Sequence, residues 1–497
     1  MTTLVLVRRF LADYGRQPVN LVLLVVVPVI FVALAAGTIA DFAALTGGID
    51  NSELLSAPTA GWAAAFLAGV AGFFLVLGSR DADHRLARAG LGPTRIAAAR
   101  LGSGLILALL AGAGALIALA ARTSITDPAR AIGGTLMFAA IYLAIGAGIG
   151  AVVDNAVNGS LIVVFVWMLD VFLGPAMAGG DVVITRLFPS HFVTLVMVDS
   201  ASGHSGPIGD LGWALAWTLG GLAFAGWLFF SATRGATPER RYRHGGLGRV
   251  GAGFKFGFRE YRRNPAMWVL LVVLPAFFIT LSFYITPDMP TPVQVVEGGQ
   301  TSIQALSMID VHGAIMVPIT VAFLAGLAGL FVVQASLEAD RRLAIAGFRS
   351  REILGARLAV IGLAALLSTG VSLLVTAVDF SPRQWGWFTL ANVMVAATYG
   401  MIGVITGSLF GRVGGLYVMF LVPFVDVGIA QNVMFSSQPP TWGGFLPSHG
   451  AVSLMVDSAY TSSLDETGAI VLALAWLIAL AGATGVIFHR ISAPEAG

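Results

Sequence analysis

About twelve runs of roughly 20 mostly apolar residues, joined by short polar loops, leave this chain few ways to fold. A run of that length matches the hydrocarbon thickness of a bilayer, where each backbone group must find its hydrogen bond inside the segment. The runs fall near 19–40, 60–78, 97–121, 131–153, 159–178 and 210–232, then near 266–286, 312–334, 355–378, 388–410, 413–431 and 468–488. Only 11% of the residues are charged, against 57% hydrophobic, whereas soluble domains carry about 25% charged residues. Such a chain cannot cover a globule with water-compatible side chains, so lipid is its main solvent. The expectation is an all-α membrane protein with the bilayer as its first partner.

Orientation follows from arginines in short loops. Arg8, Arg9 and Arg16 precede the first run, and Arg80, Arg85 and Arg88 follow the second. The stretch 234–263 holds Arg234, Arg240, Arg241, Arg243, Arg249, Lys255, Arg259, Arg262 and Arg263, and a later loop has Arg341, Arg342, Arg349 and Arg351. Loops 41–59 and 287–311 carry Asp41, Asp50, Glu53, Asp288, Glu297 and Asp310 but no Lys or Arg. Both termini are therefore expected in the cytoplasm, with the chain multi-pass in a bacterial cell membrane; the Arg, Ala and Gly usage suggests a GC-rich genome. The first run could be taken for a signal peptide, but an equivalent segment sits mid-chain. No basic stripe on a folded face suggests nucleic acid, and the absence of cysteine removes disulfides and thiolate chemistry.

The chain repeats itself. Arg16-Gln17-Pro18 matches Arg263-Asn264-Pro265 at a spacing of 247 (265 − 18). Asp83-His84-Arg85-Leu86-Ala87-Arg88-Ala89-Gly90 matches Asp340-Arg341-Arg342-Leu343-Ala344-Ile345-Ala346-Gly347 at 257 (340 − 83), as Arg100-Leu101 matches Arg357-Leu358. Asp170 matches Asp426, Pro189-Ser190-His191 matches Pro447-Ser448-His449, and Met197–Ala201 matches Met455–Ala459. The jump from 247 to 257 places a ten-residue insertion in the first external loop of the second half. Six runs per copy is an even number, so the copies are parallel repeats related by an axis along the membrane normal, able to enclose a pathway between them. The boundaries read 1–235 for the first half, 236–263 for a basic linker and interfacial helix, and 264–497 for the second half. The Gly-rich stretch 245–255, which ends on Lys255, does not fit a phosphate-binding Gly-x-x-x-x-Gly-Lys-Ser/Thr loop and reads as a linker.

In this order of features the chain resembles the permeases of ABC-2 type ATP-binding-cassette exporters, in the form with both six-helix halves fused. The features are a basic amphipathic leading segment, an Arg-x-Pro start to the first span, a charged loop between spans two and three, and a Pro-containing hairpin between spans five and six. The resemblance covers essentially the whole chain. It implies a separate cytoplasmic ATPase, two copies for two docking loops, with ATP and Mg on that partner and no cofactor on this chain. It also implies alternating access and export of hydrophobic or amphipathic compounds, antibiotic-like or lipid.

Candidate residues follow. The loops 79–95 and 336–352 are the expected ATPase contacts, since the family carries a short coupling helix there. Asp83, Arg85 and Gly90, with Asp340, Arg342 and Gly347, would form a Gly-ended helix presenting Asp and Arg to a partner groove; the plain alternative is a solvated positive-inside turn. Segments 3–17 and 250–264 mix Arg with Phe, Leu and Tyr and read as interfacial helices or as linker. Asp170 and Asp426 lie inside the fifth span of each half, where a carboxylate costs about 2.5–3.5 kcal/mol. They either face a pathway and act on cations or protons, or accept hydrogen bonds from the following hairpin, from Ser190/His191 and Ser448/His449.

Pro189, His191, Pro447 and His449 mark half-helices dipping into the outer leaflet, which survive only when packed or lining a cavity. One His per half is a poor metal site, since metals need several convergent ligands. Spans two and five line the cavity in the family, which makes Phe73, Phe74, Phe165 and Trp167 substrate-contact candidates. Gly146, Gly148 and Gly150 lack a βαβ context and read as a helix-packing stripe. No catalytic cluster points to an enzyme. The rival reading is a proton-coupled secondary transporter using Asp170 and Asp426; a non-transporting scaffold is the other.

Overall fold

The computed structural model describes residues 3–45, 52–125, 127–176, 183–198, 207–234, 265–345 and 348–492. The linker and second interfacial segment, 236–263, and Gly347 lie outside the described residues. The protein is an all-α membrane protein. Among the described residues, nine helices are long and apolar enough to cross a bilayer. Their backbones are satisfied internally, which is what lets them sit in lipid.

The chain divides into two compact units, Met1–Arg241 and Tyr242–Gly497. The first contains α1 (Thr3–Gly15), α2 (Pro18–Leu45), α3 (Ser52–Leu77), α4 (Arg80–Arg88), α5 (Pro93–Arg122), α6 (Pro128–Val152), α7 (Ala156–Phe172), α8 (His191–Val198) and α9 (Pro207–Arg234). The second contains α10 (Pro265–Ile285), α11 (Met308–Ile345), α12 (Ser350–Thr376), α13 (Trp385–Pro423), α14 (His449–Tyr460) and α15 (Thr467–Ser492).

Two expected spans are shorter than the rest: α7, and the apolar part of α10, Leu271–Ile285. Two others run together as one 46-residue helical stretch, Trp385–Ala430. At 1.5 Å per residue that stretch would be about 69 Å long, more than twice a hydrocarbon core. Gly411 breaks it, with φ +69° and ψ −164°, a backbone conformation open mainly to glycine. In the first unit the corresponding break is a true gap, where Asn155 caps α7 by accepting from the Val157 and Asn158 amides at 2.8 and 3.2 Å.

Glycine sets the core of both units. A Cβ at Gly146 of α6 would land on the Gly69 backbone of α3, and one at Gly150 would lie 2.7 Å from the Phe73 carbonyl. In the second unit Gly403 meets Gly326 in the same way, and Gly407 would put a Cβ 3.0 Å from the Leu330 carbonyl. The two helix pairs, α3 with α6 and α11 with α13, therefore approach backbone to backbone, the close contact that small residues allow in membranes. Gly148 faces Leu228 of α9 instead, at 3.3 Å.

A β-hairpin adds to the helical plan. Strands β1 (Pro290–Glu297) and β2 (Gln300–Ser307) pair antiparallel through Gly298 and Gly299, whose φ values of +62° and +74° suit a tight two-residue turn. This is what occupies the loop where the repeat spacing jumps. Val293 and Val295 of β1 are buried. Asp465 accepts from the Gly298 amide at 3.0 Å, and Glu297 accepts from the Ser462 hydroxyl at 3.0 Å.

Candidate functional site

Two polar constellations recur in both units. The first lies under the charged loops. α3 ends at Leu77, and Gly78 and Ser79 form a turn before α4 begins. α4 is short, with Asp81, Arg85 and Arg88 on its exposed side. Leu91 closes it by donating its amide to the Leu86 carbonyl at 3.1 Å, with Gly90 at φ +89°, the left-handed helix ending that glycine favours.

Asp83 does not face a partner. It is fully buried, and Arg100 of α5 binds it through Nη2 at 2.8 Å and Nε at 3.1 Å. The Ser79 hydroxyl donates to the same carboxylate at 3.1 Å. The Phe10 ring covers the Arg100 guanidinium, 3.5 Å from its centroid, a placement that adds cation–π attraction. Leu6 and Phe10 of α1 pack on Ala99, with Leu86 and Leu91 alongside. One buried ion pair thus fastens the amphipathic α1, the loop helix and span three together. The loop helix exposes Asp81, Arg85 and Arg88; the expectation that Asp83 and Asp340 are presented outward is corrected, because each neutralises a buried arginine.

The second unit repeats the clasp. Arg357 binds Asp340 through Nη2 at 2.7 Å and Nε at 3.1 Å, and Ser336 donates to Asp340 at 2.8 Å. Here Ala335 stands where the first unit has Gly78, and α11 continues unbroken to Ile345. Its last turns take the place of α4, with Arg341 and Arg342 exposed. The Phe348 amide closes onto the Leu343 carbonyl at 3.0 Å, matching Leu91 and Leu86.

A further tie was not foreseen from sequence. Arg80 donates to the Gly150 carbonyl, through Nε at 3.0 Å and Nη2 at 2.6 Å, and pairs with Asp154. It joins the end of span two to the elbow between α6 and α7. In the second unit Gln334 donates to the Gly407 carbonyl. The recipient carbonyls correspond at a spacing of 257 (407 − 150), which is the only sequence signal available for the tie.

The second constellation surrounds the intramembrane aspartates. Asp170 and Asp426 are both 1% exposed. Asp170 accepts from the Tyr142 phenol at 2.6 Å and the Ser190 amide at 3.3 Å. Asp426 accepts from the Tyr399 phenol at 2.7 Å, the Ser448 hydroxyl at 2.6 Å and the Ser448 amide at 3.1 Å. Asp426 sits in a π-helical turn, Phe424–Ala430, and such turns widen a helix locally. Of the two readings open for these carboxylates, this geometry is that of hydrogen-bond acceptors for the following hairpin.

The serines of the hairpins reach the carboxylates; His449 instead meets the Gln431 Oε1 through Nδ1 at 2.9 Å. His191, fully buried, packs edge-on against Phe192 at 5.0 Å. Pro189 and Pro447 lie in the turns leading into α8 and α14. Tyr142 and Tyr399 were missed in the sequence, although they too correspond at 257 (399 − 142).

The aromatic candidates separate. Phe73 and Trp167 are buried, while Phe74 and Phe165 are half-buried. Trp167 donates to the Trp62 carbonyl at 2.9 Å and packs edge-on with Phe66 at 5.4 Å, so it ties α7 to α3 inside the first unit. Phe73 fills the space beside Gly159. Among the described residues no three His, Asp or Glu side chains converge as a metal site. No protein-family model matches the chain, and no curated protein matches it.

Proposed function

We propose that this chain is the membrane-spanning permease of an ATP-driven exporter of hydrophobic or amphipathic compounds, drug-like or lipid, in a bacterial cell membrane. Its two halves act as parallel six-span repeats working by alternating access. Two copies of a separate ATP-binding-cassette ATPase, carrying ATP and Mg, dock on the loops 79–95 and 336–352. The observation that carries this reading is the duplicated clasp: Asp83–Arg100 and Asp340–Arg357 each anchor a loop that exposes a pair of arginines, Arg85 and Arg88 in one half and Arg341 and Arg342 in the other. An exposed basic turn bound rigidly to a membrane helix can pass a push from a partner into that helix, whereas a loosely attached turn would absorb it.

The proton-coupled alternative through Asp170 and Asp426 draws less support, because both carboxylates are already engaged by tyrosine and serine. The test is co-expression with a P-loop ATPase from the same genome, followed by co-purification and ATP hydrolysis. Arg85→Glu combined with Arg342→Glu is expected to abolish co-purification and return hydrolysis to the level of the ATPase alone. Transport that persists without any ATPase and collapses with the proton gradient would overturn the reading.

A further inference from the structure

The helical hairpin α12–α13 of the second unit carries a buried seam of hydroxyls that its counterpart in the first unit lacks. Ser368, Thr369, Ser372 and Thr376 lie on one face of α12, and all are at most 2% exposed. The equivalent residues of α5, 257 positions earlier (369 − 112), are Ala111, Gly112, Ala115 and Leu119. Ser368 and Thr369 donate to the Ala365 carbonyl at 3.0 and 2.7 Å, and Ser372 donates to the Ser368 carbonyl at 2.8 Å. Their hydrogens are spent within the helix, so what they offer outward is lone pairs.

Asn392 of α13 lies across from this face. The two helices run antiparallel, and a Cβ at Gly400 would meet Ile361 at 3.1 Å. Two turns along each helix from that contact are Thr369 and Asn392. The first unit has the same register: a Cβ at Gly112 would meet Thr135 at 3.5 Å. Asn392 is fully buried and donates its amide to the Phe388 carbonyl at 2.9 Å. Its Oδ1 has no partner among the described residues, and neither has the Thr376 Oγ1 one turn beyond Ser372. The seam therefore sets the unmet Asn392 Oδ1 and three hydroxyl oxygens whose hydrogens are spent beside a single uncommitted hydroxyl, that of Thr376, inside a membrane helix pair, where each unmet polar group costs free energy.

We propose that this seam is a binding site for a small neutral hydrogen-bond donor, with water as its resident ligand. Water donates one hydrogen to Asn392 Oδ1 and the other to the hydroxyl oxygen of Thr369, which gives it two of the polar partners that a buried water requires. It reaches them from the Thr376 end, where Ala377, Val378 and Asp379 are exposed. At the same level of the first unit Thr135 Oγ1 is likewise buried without a partner among the described residues, but the positions opposite are Ala111, Gly112, Ala115 and Leu119, so a water there would have one polar partner, fewer than it requires. The two hairpins thus differ chemically where their backbones correspond.

X-ray-generated hydroxyl-radical labelling of the purified full chain in lipid nanodiscs tests this, because bound water is the local radical source. Phe388, fully buried and one turn from Asn392, is expected to be oxidised several-fold faster than Phe66, which is equally buried in the first unit. Equal labelling of the two in the wild type overturns the proposal without any variant. Thr369→Val, which keeps the side-chain shape, is expected to cut Phe388 labelling several-fold while leaving Phe66 unchanged; unaltered Phe388 labelling overturns it. A melting midpoint that rises in sodium chloride relative to choline chloride, and loses that rise in Thr369→Val, would make the ligand a cation and also overturns it.

Discussion

Asp426 receives a hydrogen bond from a phenol, a hydroxyl and a backbone amide, and among the described residues no arginine pairs with it. A carboxylate so placed is held by donors alone, each worth about 1.5–3 kcal/mol when its partner is charged. Tyr399→Phe removes one donor and is expected to destabilise by about that amount. Asp426→Asn is expected to cost at least as much, because an amide offers one oxygen where three donors converge. Melting of the purified variants measures both. Stability unchanged in Asp426→Asn, with cation transport alone lost, would return the carboxylate to a pathway role. The aspartates were legible because a charge in an apolar run stands out. Their tyrosines were not, since an aromatic residue in a membrane helix is ordinary and its hydroxyl's target is set by packing. Asp83 misled for the opposite reason: an aspartate among loop arginines reads as solvated, and its partner Arg100 lies seventeen residues on.

The helices were readable from length and hydropathy, but where they touch depends on single glycines. Gly146→Ala puts a methyl into the Gly69 backbone, which no rotamer change relieves, so α3 and α6 must separate and the stripe of contacts below them is lost. Little of this variant is expected to survive extraction as a monodisperse monomer. Gly220→Ala is the control: nothing lies within 4 Å of a Cβ there, and the substitution is expected to be neutral or slightly stabilising through helix propensity. Size-exclusion profiles after heating compare the two; equal profiles would mean that the α3–α6 contact yields. The β-hairpin shows what periodicity over long windows passes over. Glu297-Gly298-Gly299-Gln300 between Val293-Gln294-Val295 and Thr301-Ser302-Ile303 is a hairpin signal in its own right, yet in a chain read for twenty-residue runs it counts only as loop.

On the proposed function, two anchored basic turns in one chain call for two docking events, one per half. Native mass spectrometry of the co-expressed complex is expected to show one copy of this chain with two of the ATPase. Arg85→Glu and Arg342→Glu, taken singly, are each expected to favour a species with one ATPase; loss of both copies from either single variant would mean that docking is all-or-none. The two units also differ in how they fill one corresponding position. At the elbow after span four, the fixed element is a main-chain oxygen, Gly150 in one half and Gly407 in the other. Main-chain atoms are not encoded by side-chain choice, so mutation cannot remove the socket while the glycine-packed helix stands. The plug is free to be replaced: an arginine inside an ion pair serves one half, and a glutamine three residues earlier in the register serves the other. Swapping Arg80 for its positional counterpart Leu337 would therefore empty one socket without filling the other, and halves that correspond residue by residue are not interchangeable parts.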